Sequence, residues 1–311
     1  GAANCHTSNC AALLMPFQFD QALVCPACPL GCCLEDRRIN RVRGRTTGFR
    51  LKQNTALHCS FEDFIPGADG DPEPSRTFQF YLDRFRSNAM GAGRVLFPGA
   101  FELSNQALAK VEGDVYELMQ AAVIWNACAV WNRFMDTGMW DSTNFTVPEG
   151  AIATPMRKVA VIKLPRGYDT TKLFRPEVRA TIQAHEESLR LRGMELGLSS
   201  PDLVGVRIPH PAPAVFAHFL SPLANLREQN RAALESAYQM VEGTLEGRAF
   251  LFAIAIKRTT RSDRLYQPLF EANVLKYLIQ EVLRGSAFRF TVHMQSFEGA
   301  AVEKHYEAAS P

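Results

Sequence analysis

Apolar residues recur at steps of three and four between about Ser104 and Asp136. Val111, Val115, Leu118, Met119, Ala122, Trp125, Ala129 and Phe134 form one stripe, which predicts a long helix with that stripe in the core. Lys110, Asp114 and Glu117 lie off the stripe, where either solvated residues or a site on the helix edge would stand. Strand signals follow at 159–164 (VAVIKL), 203–208 (LVGVRI), 249–256 (AFLFAIAI) and 287–295 (AFRFTVHMQ), the last alternating cleanly. Helical patterns separate them near 176–193, 224–242 and 266–284, with Gly285 placed to cap the last. Helices and strands in this order predict an α/β fold, a mixed β-sheet flanked by helices. The first hundred residues follow the scheme less closely and read as a peripheral layer. Within them, residues 63–76 are rich in Pro, Gly and acid and read as a surface loop.

With 311 residues, 47% of them hydrophobic, the chain can bury a sizeable core. The net charge of +2 averages over local fields and does not identify a partner. No run of eighteen apolar residues suggests a membrane span, and GAANCHTSNC lacks the basic start and apolar core of a signal peptide, so a cytoplasmic location is expected. Six of eight cysteines, Cys5, Cys10, Cys25, Cys28, Cys32 and Cys33, fall in the first 33 residues. Cys25 and Cys28 have the C-x-x-C spacing of a zinc pair, but the adjacent Cys32 and Cys33 make an awkward second pair. A reduced-thiol arm without structural zinc is therefore the expectation. Residues 37–52 carry seven basic residues and no acid, which suits either a solvated face or an arm that neutralises DNA phosphate.

The chemistry concentrates where AFLFAIAI runs into Lys257, Arg258, Arg261, Asp263 and Arg264. A strand end needs a turn residue or two; this density of charge suits an anionic partner. SSPDLVGVRI opens with Pro201-Asp202, so neighbouring strands would bring Asp202 and Lys257 to one sheet edge, the layout of a PD-(D/E)xK nuclease. A carboxylate can hold Mg²⁺, and an ammonium can orient water and offset phosphate charge. The second acid of that pattern is missing, because Ala255 stands two residues before Lys257. Glu271, fourteen residues after Lys257 on the following helix, is the best replacement.

RTTRSDRLYQPLFEANV, SSPDLV, KVEGDVYELMQAAVIWN and VRGRTTGF together resemble the SgrAI-like Type II restriction endonucleases, which recognise sites with a CCGG core. The likeness runs in order from about Met15 to Ser310. It implies the restriction endonuclease-like fold of the PD-(D/E)xK superfamily, with 1–14 an upstream extension, 15–100 a DNA-contacting arm and peripheral layer, and 101–311 the endonuclease core. In that group the missing strand acid is replaced by a Glu on the next helix, as the spacing of Glu271 already suggests.

Carried over residue by residue, the resemblance implies a catalytic centre of Asp202, Lys257 and Glu271, with Glu117 helping to hold a second metal or its water. Mg²⁺ is the implied cofactor, with up to two ions per active site. Arg261, Asp263 and Arg264 match the group's base-reading residues: Arg donates to guanine O6 and N7, and Asp accepts from cytosine N4. The alternative for Asp263 is a helix cap, with Ser262 competing for that role. Arg258 is assigned to phosphate, Lys110 to a flanking base edge in the major groove, and Arg45, exchangeable with Arg43, to the minor groove. Double-stranded DNA is the implied partner, a homodimer the economical reader of a palindrome, and tetramers or larger assemblies occur in the group. A cognate DNA methyltransferase is the implied genetic partner. The competing readings are a sequence-specific DNA-binding protein without catalysis and a zinc-containing regulator built on the N-terminal cysteines.

Overall fold

The computed structural model describes residues 22–24, 33–36, 49–51, 60–67, 78–96, 105–198, 200–258, 262–285 and 288–295. The chain divides into two units: residues 1–119 with 224–230, and residues 120–223 with 231–311.

The first unit holds a small antiparallel sheet of β1 (Ala22–Val24), β2 (Cys33–Asp36) and β3 (Phe49–Leu51), paired in that order. Helix α1 (Phe78–Leu96) follows. Neither the sheet nor α1 is anticipated by the sequence reading, although Phe78, Tyr81, Leu82 and Phe85 have helical spacing, and the last three are buried. The expectation of a surface loop from residue 63 also needs correction at its start. Asp63 is exposed, but Phe64 is buried, 5.3 Å from Tyr81 and 5.6 Å from Phe78 between ring centroids. Arg84 closes the segment by donating to the Ser60 carbonyl and pairing with Asp63. Helix α2 (Asn105–Thr137) matches the long apolar stripe, and the unit boundary falls within it after Met119. Its buried Glu112 is paired with Arg86 of α1 at 2.8 Å.

The second unit is built on one mixed sheet in the order β4 (Val159–Lys163), β5 (Leu203–Arg207), β6 (Phe250–Lys257), β7 (Arg289–Met294). β4, β5 and β6 pair antiparallel, while β7 joins β6 parallel. Val161, Ile162, Val204, Val206, Ala253 and Ile254 fill the core of the sheet. Helices α3 (Pro176–Arg190) and α4 (Glu228–Val241) lie in the connections between the antiparallel strands, α5 (Ser262–Lys276) lies in the parallel crossover from β6 to β7, and Pro176 at the first position of α3 explains its sharp start. The last helical segment starts four residues earlier than the apolar pattern indicates and passes into a π-helical stretch, Tyr277–Val282.

Gly285 closes that stretch differently from the expected cap. The left-handed residue is Arg284 (φ 50°), and Gly285 donates its N–H to the Ile279 carbonyl at 2.7 Å. Glycine is required one position later by close approach, since a Cβ there would lie 2.8 Å from both that oxygen and Ile279 Cγ2.

Two asparagines fasten the second half of α2 to this unit. Asn126 exchanges two hydrogen bonds with the Leu223 main chain at 2.8 and 2.7 Å, and Asn132 does the same with Val159 at 2.7 Å each. Asn132 is 1% exposed, so the Val159 N–H and C=O have no water to replace it. Asn132→Ala is therefore expected to destabilise the protein by about 2–4 kcal/mol, measured by denaturant unfolding, against a cost under about 0.5 kcal/mol for the exposed Arg133→Ala.

Candidate active site

Antiparallel pairing puts the start of β5 beside the end of β6, with Leu203 opposite Ile254. Asp202 immediately precedes β5 and Lys257 ends β6, so both emerge at the same sheet edge, as the two quoted segments require. Asp202 Oδ2 accepts the Ile256 N–H at 2.6 Å and lies 3.5 Å from Lys257 Nζ. The side chains are 21% and 15% exposed respectively, which makes a partly dry edge still open to a polyanion. The Asp202 carbonyl also accepts the Leu164 N–H at 3.0 Å, tying the residue to the end of β4 through its backbone. Asp202 is thus positioned by two strands rather than by a loop.

Glu271 lies on α5, which follows β6 in the chain and packs on β7, the strand beside β6. The carboxylate is only 2% exposed and its Oε1 accepts from Gln267 Nε2 at 2.8 Å. Gln267 escaped the sequence reading; its position four residues before Glu271 on one helix was the available signal. At the position two before Lys257, Ala255 is fully buried, so β6 itself contributes no second acid.

Beyond Lys257 the chain is tied to the end of β7. Gln295 donates its main-chain N–H to the Lys257 carbonyl at 3.2 Å, and its side-chain Oε1 accepts from Arg258 Nε at 3.1 Å. Gln295 is a second residue that sequence reasoning missed. His293 on β7 stands opposite Ile256, and burial pushes its imidazole pKa below the ordinary value, so it adds no positive charge here at neutral pH.

Helix α5 begins at Ser262 and carries Asp263 and Arg264 in its first turn. Arg261 immediately precedes the described helix and lies outside the described residues, as do Arg45, Arg43 and the cysteines at 5, 10, 25, 28, 32 and 59. Lys110 and Glu117 are on α2, in the part that belongs to the first unit. Glu117 is half-buried there. The structure therefore brings Asp202 and Lys257 together and puts Glu271 in the same unit.

The acids of this unit offer only oxygen donors, the chemistry preferred by a hard cation such as Mg²⁺. Among the described residues no group of three or more His, Cys, Asp or Glu side chains is gathered as a metal site. Mg²⁺ does not require one, since it is commonly held by one or two carboxylates together with waters and substrate phosphates. Asp202 and Glu271 fit that requirement in kind. Among the described residues no helix is long and apolar enough to cross a membrane.

A four-stranded mixed sheet flanked by helices, with an acid and a lysine at the ends of adjacent strands, is the frame of a PD-(D/E)xK-type nuclease. The fold is shared with solved restriction endonucleases. A crystal structure of the Type IIF restriction endonuclease Bse634I with cognate DNA is similar at 19% identity, covering 89% of this chain and 84% of that one with a TM-score of 0.62. A second structure, of Bse634I restriction endonuclease, gives 20% identity, coverage of 88% and 83%, and a TM-score of 0.63. Among curated proteins none matches. Residues 76–310 match the Cfr10I/Bse634I restriction endonuclease family, and the chain belongs to it. It is accordingly a Type II deoxyribonuclease by family.

Proposed function

We propose that the protein cleaves double-stranded DNA at sites with a CCGG core by Mg²⁺-dependent phosphodiester hydrolysis. The observation that carries this reading is Lys257 Nζ 3.5 Å from Asp202 Oδ2 at the edge formed by two adjacent strands. Lys257 orients the attacking water and offsets phosphate charge, while the Ile256 N–H holds the Asp202 carboxylate in place. Asp202 and Glu271 would hold Mg²⁺, which when bound would stabilise charge on the phosphate and on the departing oxygen. The products are 5′-phosphate and 3′-hydroxyl ends.

Arg261, Asp263 and Arg264, which follow β6 in the sequence, read the G·C pairs, since arginine donates to guanine and aspartate accepts from cytosine. Arg258, braced by Gln295, contacts phosphate. Lys110 and Arg45 contact flanking positions. CCGG reads identically on both strands, so a homodimer supplies one active site to each strand, with tetramers or larger assemblies built from it.

Supercoiled plasmid carrying CCGG-core sites tests the reading. With Mg²⁺ the full chain is expected to yield defined fragments, and with EDTA none; a gel shift without cutting under either condition points to a DNA-binding protein that has lost catalysis. Arg261→Ala is expected to weaken binding to the specific duplex by about 1–3 kcal/mol in a fluorescence titration, leaving nonspecific DNA nearly unchanged. Equal weakening on both DNAs would make Arg261 a phosphate contact.

A further inference from the structure

We propose that Gln267 is a positioning residue that holds the Glu271 carboxylate for a divalent cation, an inference that rests on the nuclease reading above. The two residues are one turn apart on α5, and Gln267 Nε2 donates to Glu271 Oε1 at 2.8 Å. Their environments differ sharply: Gln267 is exposed, whereas Glu271 is 2% exposed. A carboxylate so far removed from water needs hydrogen-bond donors from the protein, and Gln267 is one of them.

The need for such a bond follows from where this acid stands. An acid on β6 would have its direction set by the pleat of the sheet, but that position is the buried Ala255. A helix-borne Glu reaches its target through three side-chain torsions, and each must be held if the carboxylate is to meet a cation in one geometry. Gln267 supplies a fixed donor. It is a neutral amide, so it orients the carboxylate without setting a second positive charge against the metal. A carboxylate offers about four lone-pair positions, so one bond to Gln267 is compatible with a metal contact. The tie also spans Pro268, whose missing N–H removes a rung of the helix between the turn that begins at Ser262 and Glu271.

Mn²⁺ added alone to the full chain, with free ion followed by electron paramagnetic resonance, tests the proposal without cleavage as the readout. Gln267→Met keeps side-chain length and helix propensity while removing the donor. It is expected to weaken Mn²⁺ binding about 10–100-fold in a chain that still unfolds cooperatively, and to have no further effect in a Glu271→Ala background. Parent-like Mn²⁺ affinity in Gln267→Met overturns the positioning role, and so does an equal loss in the Glu271→Ala background. A parent chain that takes up no Mn²⁺ overturns this inference, while the nuclease reading stands or falls separately on Mg²⁺-dependent cleavage of plasmid DNA.

Discussion

Lys257→Ala and Asp202→Ala are each expected to abolish detectable cleavage of a CCGG-core duplex while leaving most of its DNA affinity in place. The two side chains meet at one oxygen, Asp202 Oδ2, which is also fixed by the Ile256 N–H. On the proposed roles, removing the lysine takes away the group assigned to align water and leaves the carboxylate held. Removing the aspartate takes away the proposed metal ligand and leaves the amine at the strand end. Removal of a positioned acid, base or charge-stabilising group typically costs a factor of about 10²–10⁴, and losing a metal site costs at least as much. DNA affinity rests mainly on phosphate contacts and base edges, so neither substitution strips the reading face. Single-turnover cleavage and a binding titration on the same duplex separate the effects. Parallel loss of binding and cleavage in both variants would assign the pair to DNA anchoring.

A second large effect is expected from a single methyl group. Gly205→Ala sets a Cβ 2.1 Å from Cζ and 2.2 Å from Cε1 of Phe252, its partner across the β5 and β6 pair. Such contacts cannot exist, so the ring or the strand has to move, at a cost of about 1–3 kcal/mol or more. The register shift between Gly205 and Val206 marks the same crowded place. Asp202 lies three residues upstream, immediately before β5, so distortion here reaches the Asp202–Lys257 pair. The measured consequence is a thermal midpoint lower by roughly 2–4 °C for each kcal/mol lost, with reduced cleavage. Phe252→Leu in the same chain should recover part of the loss, and full additivity of the two substitutions would show that the ring is not the obstacle.

Much of the sheet was legible because the apolar run AFLFAIAI, with its clear polar limit at Lys257, corresponds to β6, and the alternating AFRFTVHMQ corresponds to β7. The adjacency of Asp202 and Lys257 could be written from the sequence only as a condition. Local pattern carries no strand order, and it is the β5 to β6 pairing that meets the condition. The start of α5 was harder to see because Ser262, Asp263 and Arg264 are polar and make no periodic contribution, although the backbone there is already helical. Helix α1 was obscured for a related reason, since its Arg84, Arg86 and Asp83 dilute an apolar face carried by only a few aromatic and leucine positions. Gly285 shows that a glycine at a helix end can answer to a crowded neighbour rather than to a left-handed turn. Gln267 and Gln295 were overlooked because a neutral amide carries no charge to draw attention; only the geometry shows one bonded to Glu271 and the other to Arg258.

Sequencing the ends of genomic DNA digested by the full chain with Mg²⁺ tests the central claim most directly. The account predicts 5′-phosphate ends that fall at one fixed place in sites sharing a CCGG core. Ends scattered without a common sequence, or intact DNA after complete exposure to enzyme and metal, would contradict it.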